Sequence, residues 1–227
     1  MIIQIIALKN AFRAFNFIYI CCRAAIGAAR NLQPMKHIAI FASGNGSNAE
    51  NIINFFAGKA SATVSCVLTN NADAPVAGKA RRAGVPCLAF DRKAFDDGTQ
   101  ICRFLDRHSA DYVVLAGFLW LVPGYLTDRF EGRIVNIHPA LLPKFGGRGM
   151  YGMHVHKAVI EAGEKRSGIT VHEVSRRYDE GRIICSVECA VMPDDTPESL
   201  AERIHGLEHK WFPTIIENEI EKLAAAE

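Results

Sequence analysis

Short apolar runs alternate with helical segments from residue 37 onward, and this alternation constrains the fold more than any other feature. A run such as Tyr112-Val-Val-Leu-Ala116 is typical of a parallel strand that is covered on both faces. Strands that alternate with helices form βαβ units. The pattern therefore predicts an α/β, Rossmann-like fold, an open, mostly parallel twisted sheet with helices on both faces. The predicted strands are 37–42, 63–69, 86–90, 112–116 and 134–137, and the predicted helices are 47–57, 74–83, 94–108 and 125–130.

The pattern changes after Gly168. Residues 169–174 and 182–191 indicate two longer strands, which the turn-like Asp179-Glu180-Gly181 would join. A last helix is expected at Thr196-Pro197, because threonine can cap a helix and proline suits its first position. Pro213 is expected to break or kink this helix, because proline removes a backbone donor. Neither a repeat nor a linker interrupts residues 35–227, so we predict a single domain there.

Residues 1–34 differ from the rest of the chain. They are apolar and aromatic-rich, and polar residues interrupt them too often for a membrane span of about 20 residues. We interpret them as an extension outside the domain, with Met35 as the true start. A signal peptide is the alternative, because 24–29 resembles a small-residue cleavage region.

Charge and cysteine usage narrow the function classes. Residues 1–34 contain four basic residues and no acidic residue. Residues 35–227 contain 22 basic and 24 acidic residues, so the charge of the predicted domain does not indicate a nucleic-acid surface. The seven cysteines include no C-x-x-C pair. Such scattered cysteines indicate free thiols in a reducing compartment, so we expect a cytoplasmic protein that does not enter a membrane.

The segment Asn136-Ile-His-Pro139 carries the most specific chemistry. Asn136 and His138 are two residues apart in an extended segment, so their side chains leave on the same side. The preceding apolar residues place them at the carboxyl edge of a strand, where open α/β sheets bind ligands. Asp179 is the carboxylate that we expect to join them. The alternative is a structural asparagine and histidine in a loop that ends in proline.

The glycine-rich segment Ser43-Gly-Asn-Gly-Ser-Asn48 lies between the first strand and the first helix. Glycines allow the backbone to approach a ligand, and the free N–H groups of the helix start suit a phosphate. Gly44-x-Gly46-x-x-Ala49 also fits a relaxed dinucleotide fingerprint, but Thr69-Asn70-Asn71 offers no acid for a ribose. A single phosphate group is therefore the favoured ligand. A turn without any ligand is the alternative.

These motifs resemble the folate-dependent formyltransferase family, and within it the glycinamide ribonucleotide formyltransferases, over residues 36–223. Besides the glycine loop, the resemblance rests on Leu115-Ala-Gly-Phe118, Asn136-Ile-His-Pro-Ala-Leu-Leu-Pro-Lys144, Gly168-Ile-Thr-Val-His172, Asp179-Glu-Gly181, Glu208-His209 and Phe212-Pro213. It implies an enzyme of purine biosynthesis that transfers the formyl group of 10-formyltetrahydrofolate to the amino group of 5'-phosphoribosylglycinamide. It also implies small-molecule substrates, no metal, and a monomer or homodimer.

The resemblance assigns further site residues. The phosphate would be held by Asn45, Gly46, Ser47 and Asn48, and the glycinamide end by Glu208. The folate site would be bordered by Phe118, Leu119, Trp120, Leu121, Val122, Asn136, Ser175 and Asp179. The chain departs from some relatives at Trp120, where they have an arginine, and in the glycine-rich loop 146–153, which is longer.

Formyl transfer to an amine passes through a tetrahedral oxyanion, and this chemistry assigns roles to three residues. Asn136 and a protonated His138 would stabilise the oxyanion as hydrogen-bond donors. Asp179 is expected to raise the pKa of His138 above about 6.5 and to order a water that carries the proton. His172 is expected to be structural. His154-x-His156 has no third ligand nearby, so we do not predict a metal.

Four other functions compete with this interpretation. A formyltetrahydrofolate deformylase would carry an additional upstream domain, and a methionyl-tRNA formyltransferase would carry an RNA-binding domain after the catalytic one. A non-enzymatic module would use only the glycine loop to bind a nucleotide. A dinucleotide oxidoreductase would need the ribose-binding acid that the second strand lacks.

Overall fold

The computed structural model describes residues 34–226. Within them, one sheet of seven strands has the order β3-β2-β1-β4-β5-β6-β7. The strands are β1 (Lys36–Phe41), β2 (Ala62–Thr69), β3 (Cys87–Ala89), β4 (Tyr112–Leu115), β5 (Ile134–His138), β6 (Arg166–Glu173) and β7 (Ile183–Ala190). Strands β1 to β5 are parallel, whereas β6 and β7 are antiparallel to their neighbours. The predicted α/β fold with an open, mostly parallel sheet is confirmed.

Seven helices accompany the sheet in this part of the chain. They are α1 (Ser47–Phe56), α2 (Pro75–Arg82), α3 (Arg92–Asp97), α4 (Thr99–Arg107), α5 (Gly124–Arg129), α6 (Met153–Glu161) and α7 (Pro197–Ala226). The predicted extension 1–34 lies outside the described residues apart from Pro34, so its interpretation stays a prediction. None of the described helices is both long and apolar enough to span a membrane.

Two buried clusters, one on each face of the sheet, form the core. On one face, apolar side chains of β1, β2 and β5 pack with Ile52, Phe56, Val155, Ile204 and Phe212, which come from α1, α6 and α7. The other face carries a second cluster, with buried side chains from α3, α4 and α5 that include Phe95, Ile101, Leu105 and Leu126. Helices on both faces explain why the parallel strands contain continuous apolar runs, such as residues 38–41 of β1 and the whole of β4.

Three local predictions need correction. Residues 94–108 do not form one helix, because Gly98 adopts a left-handed conformation (φ 75°) and separates α3 from α4. Helix α6 is absent from the predicted helices. The last helix continues through Pro213 to Ala226, so the predicted break is wrong, whereas a kink there stays a prediction.

The start of α7 agrees with its prediction. Thr196 and Ser199 exchange side-chain to backbone hydrogen bonds of 3.0 and 3.2 Å, and Pro197 is the first helical residue. At Pro213 the missing N–H would leave the carbonyl four residues earlier without a helical donor. That carbonyl belongs to His209, and it accepts the side-chain N–H of Asn51 at 2.7 Å. The helix therefore tolerates the proline because α1 supplies the donor.

Candidate active site

A cavity of about 640 Å³ opens at the carboxyl ends of β4 and β5. Strand order reverses between β1 and β4, and open α/β sheets place ligands at such a switch point. The cavity is lined by all of the predicted catalytic and folate-site residues, and also by Asn48 and Glu208. Three predicted phosphate-loop residues, Asn45, Gly46 and Ser47, are not among the lining residues. The structure therefore brings most of the predicted site into one cavity.

Asn136 and His172 face each other across the antiparallel pair β5 and β6. Asn136 Nδ2 lies 3.1 Å from Nε2 of His172, and Nδ1 of His172 lies 2.7 Å from the carbonyl oxygen of Glu173. A carbonyl only accepts, so Nδ1 carries a proton and donates it to Glu173, while Nε2 faces both the Asn136 carboxamide and the Asp179 carboxylate. This leaves Asn136 one further N–H. His172 thus orients the carboxamide, a partnership that the sequence did not reveal.

His138 is 3% exposed, and both of its ring nitrogens face protein groups. Its Nε2–H donates to the carbonyl oxygen of Phe145 at 2.8 Å, and Nδ1 lies 3.6 Å from Oδ2 of Asp179. Burial lowers the pKa of His138 below its ordinary value of 6.5, although the carboxylate of Asp179 and the Phe145 carbonyl oppose this shift. The expected rise in this pKa is therefore wrong, because desolvation outweighs the nearby charge.

Asp179 is held from three sides. Oδ2 accepts the backbone N–H of Gly147 at 2.8 Å, and Oδ1 lies 3.5 Å from Nε2 of His172. Burial raises the pKa of Asp179, but His172, the Gly147 N–H and His138 together outweigh burial and lower it. Asp179 also has a left-handed backbone (φ 54°), which is uncommon for a residue other than glycine. The carboxylate is therefore ionised and fixed beside two imidazoles.

An aromatic wall borders the predicted folate side. The ring of Trp120 packs against Phe90, Phe95 and Phe118 with centroid distances of 5.5 to 6.3 Å, and the guanidinium of Arg92 lies 5.1 Å from its centroid. Trp120 therefore extends the second core cluster towards the cavity. Leu119 and Leu121 remain 46% and 37% exposed and give this side an apolar rim. Such a surface suits a flat, apolar ligand.

The other end of the site is polar. Asn48 Nδ2 donates to Oε2 of Glu208 at 2.9 Å, and Nδ1 of His205 lies 3.2 Å from the same oxygen. His205 was not predicted, although its position three residues before Glu208 on one helix is a signal for a contact. The hydrogen bond to Glu208 raises the pKa of His205. The side chain of Asn48 is thus engaged with Glu208.

The glycine loop is tightly packed where it enters α1. Gly46 has φ 72°, and a Cβ there would lie 2.4 Å from Cγ2 of Val76 on α2. Only glycine satisfies both the backbone conformation and this close approach. The loop is also joined to the folate side, because the backbone N–H of Leu119 donates to Oγ of Ser43 at 3.0 Å.

The described residues contain no group of three or more histidine, cysteine or acidic side chains that could hold a metal ion. His154 and His156 lie at the start of α6, and burial lowers the pKa of His156. His156 lines the cavity, whereas His154 does not and instead packs edge-on against Tyr151.

Comparison with known proteins agrees with this geometry, because residues 36–216 match the formyl transferase family. The chain belongs to this family. The family match runs from β1 into α7 and includes Asn136, His138, Asp179 and Glu208. The predicted resemblance to folate-dependent formyltransferases is thereby confirmed.

Three proteins illustrate the similarity within the family. The chloroplastic phosphoribosylglycinamide formyltransferase of Arabidopsis thaliana is 42% identical over 187 residues, which is 80% of this chain. The chain spans 64% of the length of that protein. The phosphoribosylglycinamide formyltransferase of Haemophilus influenzae is 35% identical, over 80% of this chain and 86% of its own length. The crystal structure of the Anaplasma phagocytophilum enzyme of that name covers 83% of this chain and 88% of its own, with TM-score 0.75 and 34% identity.

Proposed function

We propose that this protein transfers a formyl group from 10-formyltetrahydrofolate to the amino group of 5'-phosphoribosylglycinamide, a step of purine biosynthesis. The observation that carries the proposal is the convergence of Asn136, His138 and Asp179 in one cavity, with Glu208 lining the same space. Family membership and relatives of that name support it. The apolar rim would take the flat donor, and the polar end would take the ribonucleotide.

The bond changes define what the side chains must do. The acceptor amine attacks the formyl carbon, a tetrahedral oxyanion forms, and the bond from that carbon to the folate nitrogen then breaks. One proton leaves the attacking nitrogen, and one proton reaches the departing folate nitrogen. The N–H of Asn136 that His172 does not use is the preorganised donor for the oxyanion.

His138 and Asp179 provide the proton route. With Nε2–H bonded to the Phe145 carbonyl and a lowered pKa, neutral His138 offers an unprotonated Nδ1 next to Asp179. Nδ1 is therefore a proton acceptor, and the Asp179 carboxylate stabilises the imidazolium that forms. A water on Asp179 would carry the proton from the amine to Nδ1 of His138, and the imidazolium would then return it through that water to the departing folate nitrogen. Oxyanion stabilisation by His138 requires Nε2–H to leave Phe145, so we assign that role chiefly to Asn136.

The ribonucleotide would lie between the glycine loop and α7. The backbone N–H groups of Asn45 to Asn48 at the start of α1 suit its phosphate, and the Glu208 carboxylate suits the amino end. On the other side, Phe118–Val122 and Ser175 would border the folate. We expect the formyl donor to act as a cosubstrate, and we expect no metal. We also expect a monomer or homodimer in the cytoplasm. There the five cysteines of the described residues would stay free thiols.

The test is formyl transfer by the purified protein with glycinamide ribonucleotide and 10-formyltetrahydrofolate, with a control that lacks the ribonucleotide. Formylated ribonucleotide that forms only in the complete mixture is the expected result. Equal release of formate and tetrahydrofolate without the acceptor would instead identify a deformylase. Ribonucleotide binding without any turnover would favour a binding module and refute the proposed reaction.

A further inference from the structure

His205 and Glu208 lie one turn apart on α7, and both line the cavity. Nδ1 of His205 is 3.2 Å from Oε2 of Glu208, and Nδ2 of Asn48 is 2.9 Å from the same oxygen. A carboxylate only accepts hydrogen bonds, so both nitrogens are donors. One carboxylate oxygen therefore receives donors from two different helices, α1 and α7.

The second carboxylate oxygen, Oε1, has no hydrogen-bond partner among residues 34–226. Glu208 is only 13% exposed, so this oxygen is kept in a restricted environment. Two donors on Oε2 fix the rotation of the carboxylate about its last side-chain bond. Oε1 is thereby free for a ligand that donates N–H groups, as the amino end of the proposed acceptor does.

The surroundings of His205 favour a role beyond a surface ion pair. The hydrogen bond to Glu208 raises the pKa of His205, while burial and, less strongly, Lys79 oppose this shift. Its ring also packs against that of His209 at a centroid distance of 4.1 Å, with the two ring planes tilted by 57°. The imidazole is therefore restrained on one side by His209 and directed on the other towards Glu208.

We propose that His205 is a positioning residue for the acceptor: it shares Oε2 of Glu208 with Asn48, so that Oε1 is presented to the acceptor amine. This inference rests on the proposed function. It assigns to His205 an effect on the ribonucleotide alone, and none on the formyl donor.

The test compares His205→Ala, His205→Gln and the control Lys210→Ala, which removes an exposed charge from the same helix. For His205→Ala we expect the KM and the calorimetric Kd for the ribonucleotide to rise about tenfold, which corresponds to about 1.4 kcal/mol. The kcat and the KM for the donor should stay within about twofold, because uniform binding alone is lost. His205→Gln retains an N–H donor and should stay within about threefold of the wild type.

A double-mutant cycle provides the second readout. If His205 acts through Glu208, its replacement by alanine in a Glu208→Gln background should change the Kd for the ribonucleotide by less than about twofold. An undiminished tenfold effect there would overturn the inference. An unchanged KM for the ribonucleotide in His205→Ala would also overturn it, as would a failure of His205→Gln to restore affinity. A rise in the KM for both the ribonucleotide and the donor, together with a lower Tm, would overturn it as well. A wild type without any turnover would overturn the proposed function, and this inference with it.

Discussion

Nδ1 of His138, the last residue of β5, lies 3.6 Å from Oδ2 of Asp179, which belongs to the distant connection between β6 and β7. At this distance the two atoms are not hydrogen-bonded, because a hydrogen bond requires a closer approach. The Asp179 carboxylate is therefore close to Nδ1 of His138, while the ring proton is on Nε2. His138 is thus ready to accept a proton, and Asp179 is ready to stabilise the result.

Asp179→Asn should lower the turnover number by about 100- to 10,000-fold, the range associated with loss of acid–base catalysis. Asparagine keeps the shape of the side chain and can still accept the Gly147 N–H, so the loop should hold. The Kd for the ribonucleotide should change little. Steady-state kinetics and calorimetry provide the two measurements. Turnover close to that of the wild type would refute the proton route.

The pH dependence follows from the lowered pKa of His138. Neutral His138 is the proposed active form, so activity should be constant above pH 6.5 and should fall as the pH drops through a value below 6.5. A profile of kcat/KM against pH measures this, with a His138→Asn variant to identify the phase. Activity that increases towards acid pH would require protonated His138 and would contradict the assignment.

The imidazole itself can be titrated by NMR. Because the Asp179 carboxylate raises the pKa of His138 against the effect of burial, Asp179→Asn should lower it further. His154, which is exposed and does not line the cavity, serves as the internal reference signal. An unchanged titration of His138 in Asp179→Asn would show that the two groups are uncoupled.

Asn48→Asp should weaken ribonucleotide binding by about tenfold or more, because a second carboxylate would replace the donor to Glu208 and repel both Glu208 and a phosphate. Asn71→Asp is the matched control. It adds the same charge at an exposed position and keeps the oxygen that accepts the backbone N–H of Asp73. Calorimetric titration of both variants distinguishes a local effect from a change in net charge. Equal affinities for the two variants would argue against the proposed placement of the ribonucleotide.

Two glycine substitutions should shift stability in opposite directions. A Cβ on Gly181 would lie 1.7 Å from the carbonyl oxygen of Glu173, so Gly181→Ala must displace the turn between β6 and β7 and should cost about 2–4 kcal/mol. Gly206 lies within α7 with open space around it, and Gly206→Ala should stabilise by about 0.4–1 kcal/mol. Denaturant unfolding measures both. A stable Gly181→Ala variant would show that this turn can rearrange.

The sequence predicted the sheet well because each buried strand is a short apolar run that can be recognised from neighbouring residues alone. It also predicted Asn136 and His138 on one side of a strand end, since that depends only on two-residue spacing. The contacts that decide the chemistry are not local. The Phe145 carbonyl on Nε2 of His138 and the pairing of Asn136 with His172 depend on how the loop and β6 return to β5. Desolvation, which lowers the pKa of His138, likewise depends on the finished fold.

Two predictions from residue spacing were wrong, one at Gly98 and one at Pro213. Gly98 stands within a helical pattern, and its left-handed backbone could be recognised only from the structure. Pro213 satisfied a rule for helix termination, but the rule assumes that no other donor reaches the exposed carbonyl. The side chain of Asn51, more than 150 residues earlier, is that donor. Neither outcome could be read from neighbouring residues.

The bond between Asn51 and the His209 carbonyl turns a helix defect into an attachment point. Asn51 lies one turn after Asn48 on α1, and His209 follows Glu208 on α7. This hydrogen bond and the one between Asn48 and Glu208 therefore connect the two helices at adjacent positions. Replacing Pro213 with an ordinary residue would return a competing N–H to the carbonyl. The proline thus leaves the His209 carbonyl to Asn51, so that α7 is attached to α1 next to the acceptor end of the site.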